Sequence, residues 1–168
     1  MSESVISIAG RPIDMAAMAQ RASSNGQSPR SGPLIESVLD VMADADKPLV
    51  WLWDGAILLG SLTLALGRWE SFKSMGLQSL LTATYFGDPW LNRDTMPVPV
   101  VYISNEKTRQ TIGKRFDAMT RNRAIDPTRF LVVHRKGVQI GGRYWDEVIE
   151  AVSRLNGPNL VVLDTLAY

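Results

Sequence analysis

A chain of 168 residues with no cysteine and one histidine, His134, has no disulfide, no thiol catalysis and no cysteine- or histidine-rich metal site. Its formal net charge of +1 supplies no global basic field for a polyanion, so any nucleic-acid contact must come from local loops or from assembly. Hydrophobic residues at 45% and charged residues at 21% are enough for a buried core, and the absence of thiols suits a reducing, cytoplasmic location.

Taken in chain order, Met1–Gly10 lacks a basic start followed by an apolar stretch, so it does not read as a secretory signal. A short helix is predicted over Ile13–Arg21. Residues 1–32 as a whole read as a flexible tail or linker, because Ser23–Gly32 is too polar and glycine-rich to repay its ordering entropy. Leu34, Ile35, Val38, Leu39 and Met42 recur at helical spacing and predict a short amphipathic helix. Leu49–Leu66 is interrupted by Asp54, Gly55, Gly60 and Ser61, so it reads as two strands and a turn rather than a membrane span. The strands are expected at Pro48–Trp53 and Ser61–Gly67. A helix should follow over about Lys73–Phe86, ended by the breaker run Gly87-Asp88-Pro89. Further strands are predicted at Val98–Ser104, Arg129–His134 and Asn159–Asp164. Helices are predicted at Lys107–Asn122 and Trp145–Leu155, the second stopped by Asn156-Gly157-Pro158. Strands apolar on both faces that alternate with helices predict an α/β fold with a mostly parallel sheet flanked by helices, over residues 33–168.

One junction between strand and helix carries chemistry. Gly67-Arg68-Trp69-Glu70-Ser71-Phe72-Lys73-Ser74 follows the phosphate-loop pattern G-x-x-x-x-G-K-[ST] at Gly67, Lys73 and Ser74, in the strand–loop–helix context the pattern requires. Such a loop wraps backbone N–H groups around phosphates and aims a helix N-terminus at them. The lysine reaches the terminal phosphates, and the hydroxyl after it ligates Mg²⁺. Phe72 stands where the pattern has its second glycine. Its side chain is therefore expected to point away from the phosphates, and its backbone to avoid conformations open only to glycine.

Two other strands end in acids. Leu160-Val161-Val162-Leu163-Asp164 has the Walker B form, in which the carboxylate holds the water shell of Mg²⁺; the alternative is an aspartate that caps a turn. Val100–Ser104 runs into Asn105-Glu106. Glu106 either orients and deprotonates an attacking water or complements the dipole of the next helix. Ligands bind at the carboxyl ends of strands in open α/β sheets, so all three features fall where a site is expected.

The ordered set resembles the RecA-like P-loop ATPases, and within them the RepA-like hexameric helicases of plasmid and phage DNA replication. The resemblance covers about residues 48–168. It runs through Trp51–Gly67, Glu70-Ser71-Phe72-Lys73-Ser74, Gly87-Asp88-Pro89-Trp90-Leu91, Val101–Glu106, Arg115 and Leu160–Asp164. It implies an AAA-type ATPase with ATP and Mg²⁺ as ligands. Gly67, Glu70, Ser71, Phe72, Lys73 and Ser74 would bind nucleotide, Ser74 and Asp164 would hold the metal, and Glu106 with Lys73 would be catalytic. It further implies single-stranded DNA as partner, a hexameric ring of identical subunits, and no membrane. RecA-like domains continue past the Walker B strand with a further core strand. Because the chain stops at Tyr168, the resemblance also implies a domain truncated at its C-terminus.

Two other functions stay open on the residues alone: a nucleotide-binding regulatory or assembly module without turnover, and an α/β domain whose phosphate loop is a coincidence. Trp51, Trp53, Trp90, Tyr144 and Trp145 either stack on bases or pack the core and its rim, with packing preferred. The basic residues of the second half, Lys107 through Arg143, read as solvated faces rather than a phosphate track.

Overall fold

The computed structural model describes residues 7–8, 11–12, 35, 37–67, 72–134 and 137–164. The expected helix at 13–21 and the expected linker at 23–32 lie outside these. The chain divides into two compact units, Met1–Pro48 and Leu49–Tyr168. In the first, β1 (Ser7–Ile8) pairs antiparallel with β2 (Arg11–Pro12). Helix α1 (Val38–Ala43) forms part of the predicted amphipathic stretch. Ser37 caps it by accepting from the Asp40 amide at 3.2 Å, and none of its residues is buried.

The second unit opens with an antiparallel hairpin of β3 (Trp51–Trp53) and β4 (Ile57–Leu58). Leu52 is the inward residue of β3. It packs with Met96 and Val98, against which Val50, Ile57, Leu59 and Leu160 also lie. Trp53 and Trp90 meet edge to face at 4.7 Å, and the Trp53 indole N–H donates to the Trp90 carbonyl at 3.1 Å. These two tryptophans serve the rim of the core, as packing predicts.

The expected strand at Ser61–Gly67 is not formed. The second hairpin strand comes earlier, at Ile57–Leu58, and 61–67 carries no ladder. Leu62 and Leu66 are 96% and 82% exposed. An apolar run supplies only a tendency; a strand exists when a neighbour accepts and donates its backbone hydrogen bonds. Among the described residues no strand pairs with 61–67.

The remaining elements follow the predicted alternation. They are α2 (Lys73–Phe86), β5 (Val100–Ser104), α3 (Arg109–Thr120), β6 (Phe130–His134), α4 (Trp145–Ser153) and β7 (Leu160–Asp164). Gly87 closes α2 in the left-handed conformation at φ 71°, which glycine adopts without a Cβ penalty. The three strands form a parallel sheet in the order β6-β5-β7, with Ser104 opposite both His134 and Asp164. Period-two alternation then sorts the two faces. Val100, Tyr102 and Val162 face Leu81 of α2 and Ile112 and Phe116 of α3. Val101 and Ile103 face Val138 and Val148 of α4. Every residue of β5 is buried, as a central strand covered by helices requires.

Candidate functional site

Parallel strands put their carboxyl ends on one edge, and the register brings Asp164 to the level of Ser104 there. The N-terminus of α2 reaches the same edge. The Ser74 hydroxyl donates to Asp164 Oδ1 at 3.0 Å, although the two residues are 90 apart in sequence. Lys73 Nζ donates to the Gly67 carbonyl at 2.8 Å and so closes the loop on itself. Glu106 is exposed just past the carboxyl end of β5. Glu70 and Ser71 lie outside the described residues. The structure therefore brings Gly67, Lys73, Ser74 and Asp164 together by direct contacts and sets Glu106 on the same edge.

Phe72 occupies the position before α2 with φ 57° and ψ 18°, in the left-handed region. That region is not open to glycine alone, and Phe72 adopts it against a Cβ penalty of roughly 1–2 kcal/mol. Its side chain is 76% exposed, so it does not pack into the unit.

Behind the edge lies a polar network that sequence reading missed. Tyr102 donates to Asp164 Oδ2 at 2.5 Å, and Gln78 Nε2 donates to the Tyr102 hydroxyl at 2.7 Å. Burial raises the Tyr102 pKa well above the usual phenol range, and the hydrogen bond to the Asp164 carboxylate and its charge raise it further. A signal was present: a tyrosine within an all-apolar central strand and a glutamine beside Leu80-Leu81 in α2 both need buried partners.

Asn105 is a structural tie. Its amide donates to the Val138 carbonyl at 2.9 Å and accepts from the Val138 amide at 3.0 Å. Its own backbone N–H donates to the Asp164 carbonyl at 3.0 Å. It anchors the backbone immediately before Glu106 to β7 and to the chain around Val138.

The donor set suits a hard divalent cation. Asp164 is a buried carboxylate that pairs with no lysine or arginine among the described residues, and a serine hydroxyl stands beside it. A buried charge of this kind requires compensation. A groove of about 580 Å³ between α3 and β6, lined by Arg109, Ile112, Phe116, Phe130, Val132 and His134 among others, includes none of the expected site residues.

An open parallel sheet whose carboxyl edge joins a helix N-terminus, a loop lysine and a strand-ending aspartate is the layout of a P-loop nucleotide-binding domain. The family model of the AAA domain matches residues 27–168, and the chain belongs to that family of P-loop ATPase domains. No curated protein and no solved structure matches it. Among the described residues, no helix is long and apolar enough to cross a membrane.

Proposed function

We propose that the carboxyl edge of this sheet binds ATP with Mg²⁺ and hydrolyses it, and that the chain is motor-domain sequence of a RepA-like DNA replication helicase acting on single-stranded DNA as a ring of identical subunits. The hydrogen bond from Ser74 to Asp164 carries the ATP reading, because it joins the phosphate-loop hydroxyl to the Walker B carboxylate across the fold. In this reading the loop from Gly67 through Glu70, Ser71 and Phe72 cradles the phosphates with its backbone. Lys73 exchanges the Gly67 carbonyl for the terminal phosphates, and Ser74 and Asp164 hold the cation, which neutralises charge on the phosphates. Glu106 takes the proton of the water that attacks the terminal phosphorus, as the bond from that phosphorus to the ADP oxygen breaks. The helicase, DNA and ring parts rest on the order of motifs along the sequence.

Phe72 favours a second reading, a module that binds nucleotide without turnover, since its left-handed backbone carries strain in the loop that must close on the phosphates.

Calorimetric titration of Mg²⁺-ATP into the chain and into Lys73→Ala tests the site. Removing one partner of a desolvated charge pair costs about 2 kcal/mol or more, so the variant should bind at least about 30-fold more weakly. Folded wild type that takes up no nucleotide would sink the proposal. Binding without turnover in the presence of single-stranded DNA would select the second reading.

A further inference from the structure

Ser104 is the last paired residue of β5, opposite His134 and Asp164. Glu106 comes after it, where the ladder has ended. Contacts on either side of Glu106 replace the ladder. The Asn105 backbone N–H donates to the Asp164 carbonyl at 3.0 Å, and the Lys107 backbone N–H donates to the buried Ser104 hydroxyl at 3.2 Å. The side chain of Asn105 makes the most specific tie. It donates to the Val138 carbonyl at 2.9 Å and accepts from the Val138 N–H at 3.0 Å. One donor and one acceptor thus meet both polar groups of a single residue, as a paired strand residue does. A carboxylate would supply acceptors only, and an apolar side chain neither. Val138 is itself fully buried in a cluster with Val101, Ile103 and Val148, so the amide is tied to core. Val101 and Ile103 face that cluster, and Asn105 is next in their row. Tyr102 packs towards α2, the helix that begins at Lys73, and Ser104 and Glu106 follow Tyr102 at the same period of two.

We infer that Asn105 is a positioning residue for hydrolysis: by clasping both backbone groups of Val138 it fixes the chain where Glu106 leaves the sheet, and so sets the rate of the step in which Glu106 takes a proton. The inference rests on the ATP reading. A buried amide adds little net stability, because its hydrogen bonds largely replace those it made to water, but it admits one geometry. A general base gains its rate from that geometry, since it must lie within hydrogen-bond reach of the proton it removes. Nucleotide binding in this reading rests on the phosphate loop, to which Asn105 makes no contribution. Asn105 therefore acts on turnover, through Glu106, and leaves binding alone.

The test is a double-mutant cycle on the whole chain, with Kd and kcat for Mg²⁺-ATP measured below each variant's thermal midpoint. Asn105→Ala removes both side-chain bonds, and Asn105→Asp keeps the acceptor while losing the donor, so whichever folds carries the test. Each is made alone and together with Glu106→Gln. Val148→Ala loosens the core around Val138 and keeps the Asn105 amide. Loss of the clasp should lower kcat by about 10²-fold, the scale of a misplaced reacting group, and leave Kd at the wild-type value. In the Glu106→Gln background the same substitution should lower kcat no further, because a residue that acts only through Glu106 has nothing left to position. Val148→Ala should lower the thermal midpoint and leave kcat at the wild-type value. An unchanged kcat in a folded Asn105 variant overturns the inference and leaves the ATP reading standing. So does an equal fall in both backgrounds, or an equal fall in Val148→Ala. Wild type that binds Mg²⁺-ATP without turnover, or Glu106→Gln that turns over at the wild-type rate, overturns the hydrolysis reading, and this inference with it.

Discussion

Val100–Ser104 and Ser61–Gly67 are both short, mostly apolar stretches next to a turn and a helix, yet one lies at the centre of the unit and the other in solvent. Val100, Tyr102 and Ile103 are fully buried, with β6 and β7 bonded to either edge and helices on both faces. Leu62, Leu64 and Leu66 stand exposed, and no strand is bonded to them among the described residues. The first is β-branched and aromatic and the second leucine-rich, which favours the first as a strand. They differ above all in neighbours, and burial and backbone pairing are properties of neighbours.

That contrast can be broken by mutation. The largest effect is expected at Ile103→Ala, which opens a cavity against Val138 and Val148 and should cost about 2–5 kcal/mol in urea unfolding. A loss below about 1 kcal/mol would mean that β5 is not the packed centre. An intermediate effect is expected at Phe72, immediately before α2. Phe72→Gly should be about 1 kcal/mol more stable than Phe72→Ala, because only glycine sheds the left-handed penalty. Equal melting points for the two variants would show that the loop does not hold that backbone. The smallest effect is expected at Leu64→Ser, which should stay within about 0.5 kcal/mol of wild type, as exposed positions do. A clear loss there in the same unfolding assay would reveal that Ser61–Gly67 is covered in solution, and the contrast with β5 would shrink.

The alternation of helices and strands was legible because the elements from Lys73 onward carry their own signals: breakers at Gly87-Asp88-Pro89 and Asn156-Gly157-Pro158 and uninterrupted apolar runs at Val100–Ile103 and Leu160–Leu163. The proposed site was legible in its ends. Lys73, Ser74 and Asp164 are recognised by motif, and the fold joins them. Its interior was not, because Gln78, Tyr102 and Asn105 have meaning only through partners 24 to 62 residues away. The one strand misplaced, Ser61–Gly67, is apolar but leucine-rich, and no strand pairs with it among the described residues.

The sequence by itself determined that this chain builds a parallel α/β domain with a phosphate loop, since local periodicity, breakers and motif spacing are written in consecutive residues. Only the tertiary structure decided the strand order β6-β5-β7, the left-handed backbone of Phe72 and the orientation of the Asp164 carboxylate. The physical reason is that hydrogen-bond pairing, burial and the direction of a shared proton are set by which residues meet, and those residues are far apart along the chain.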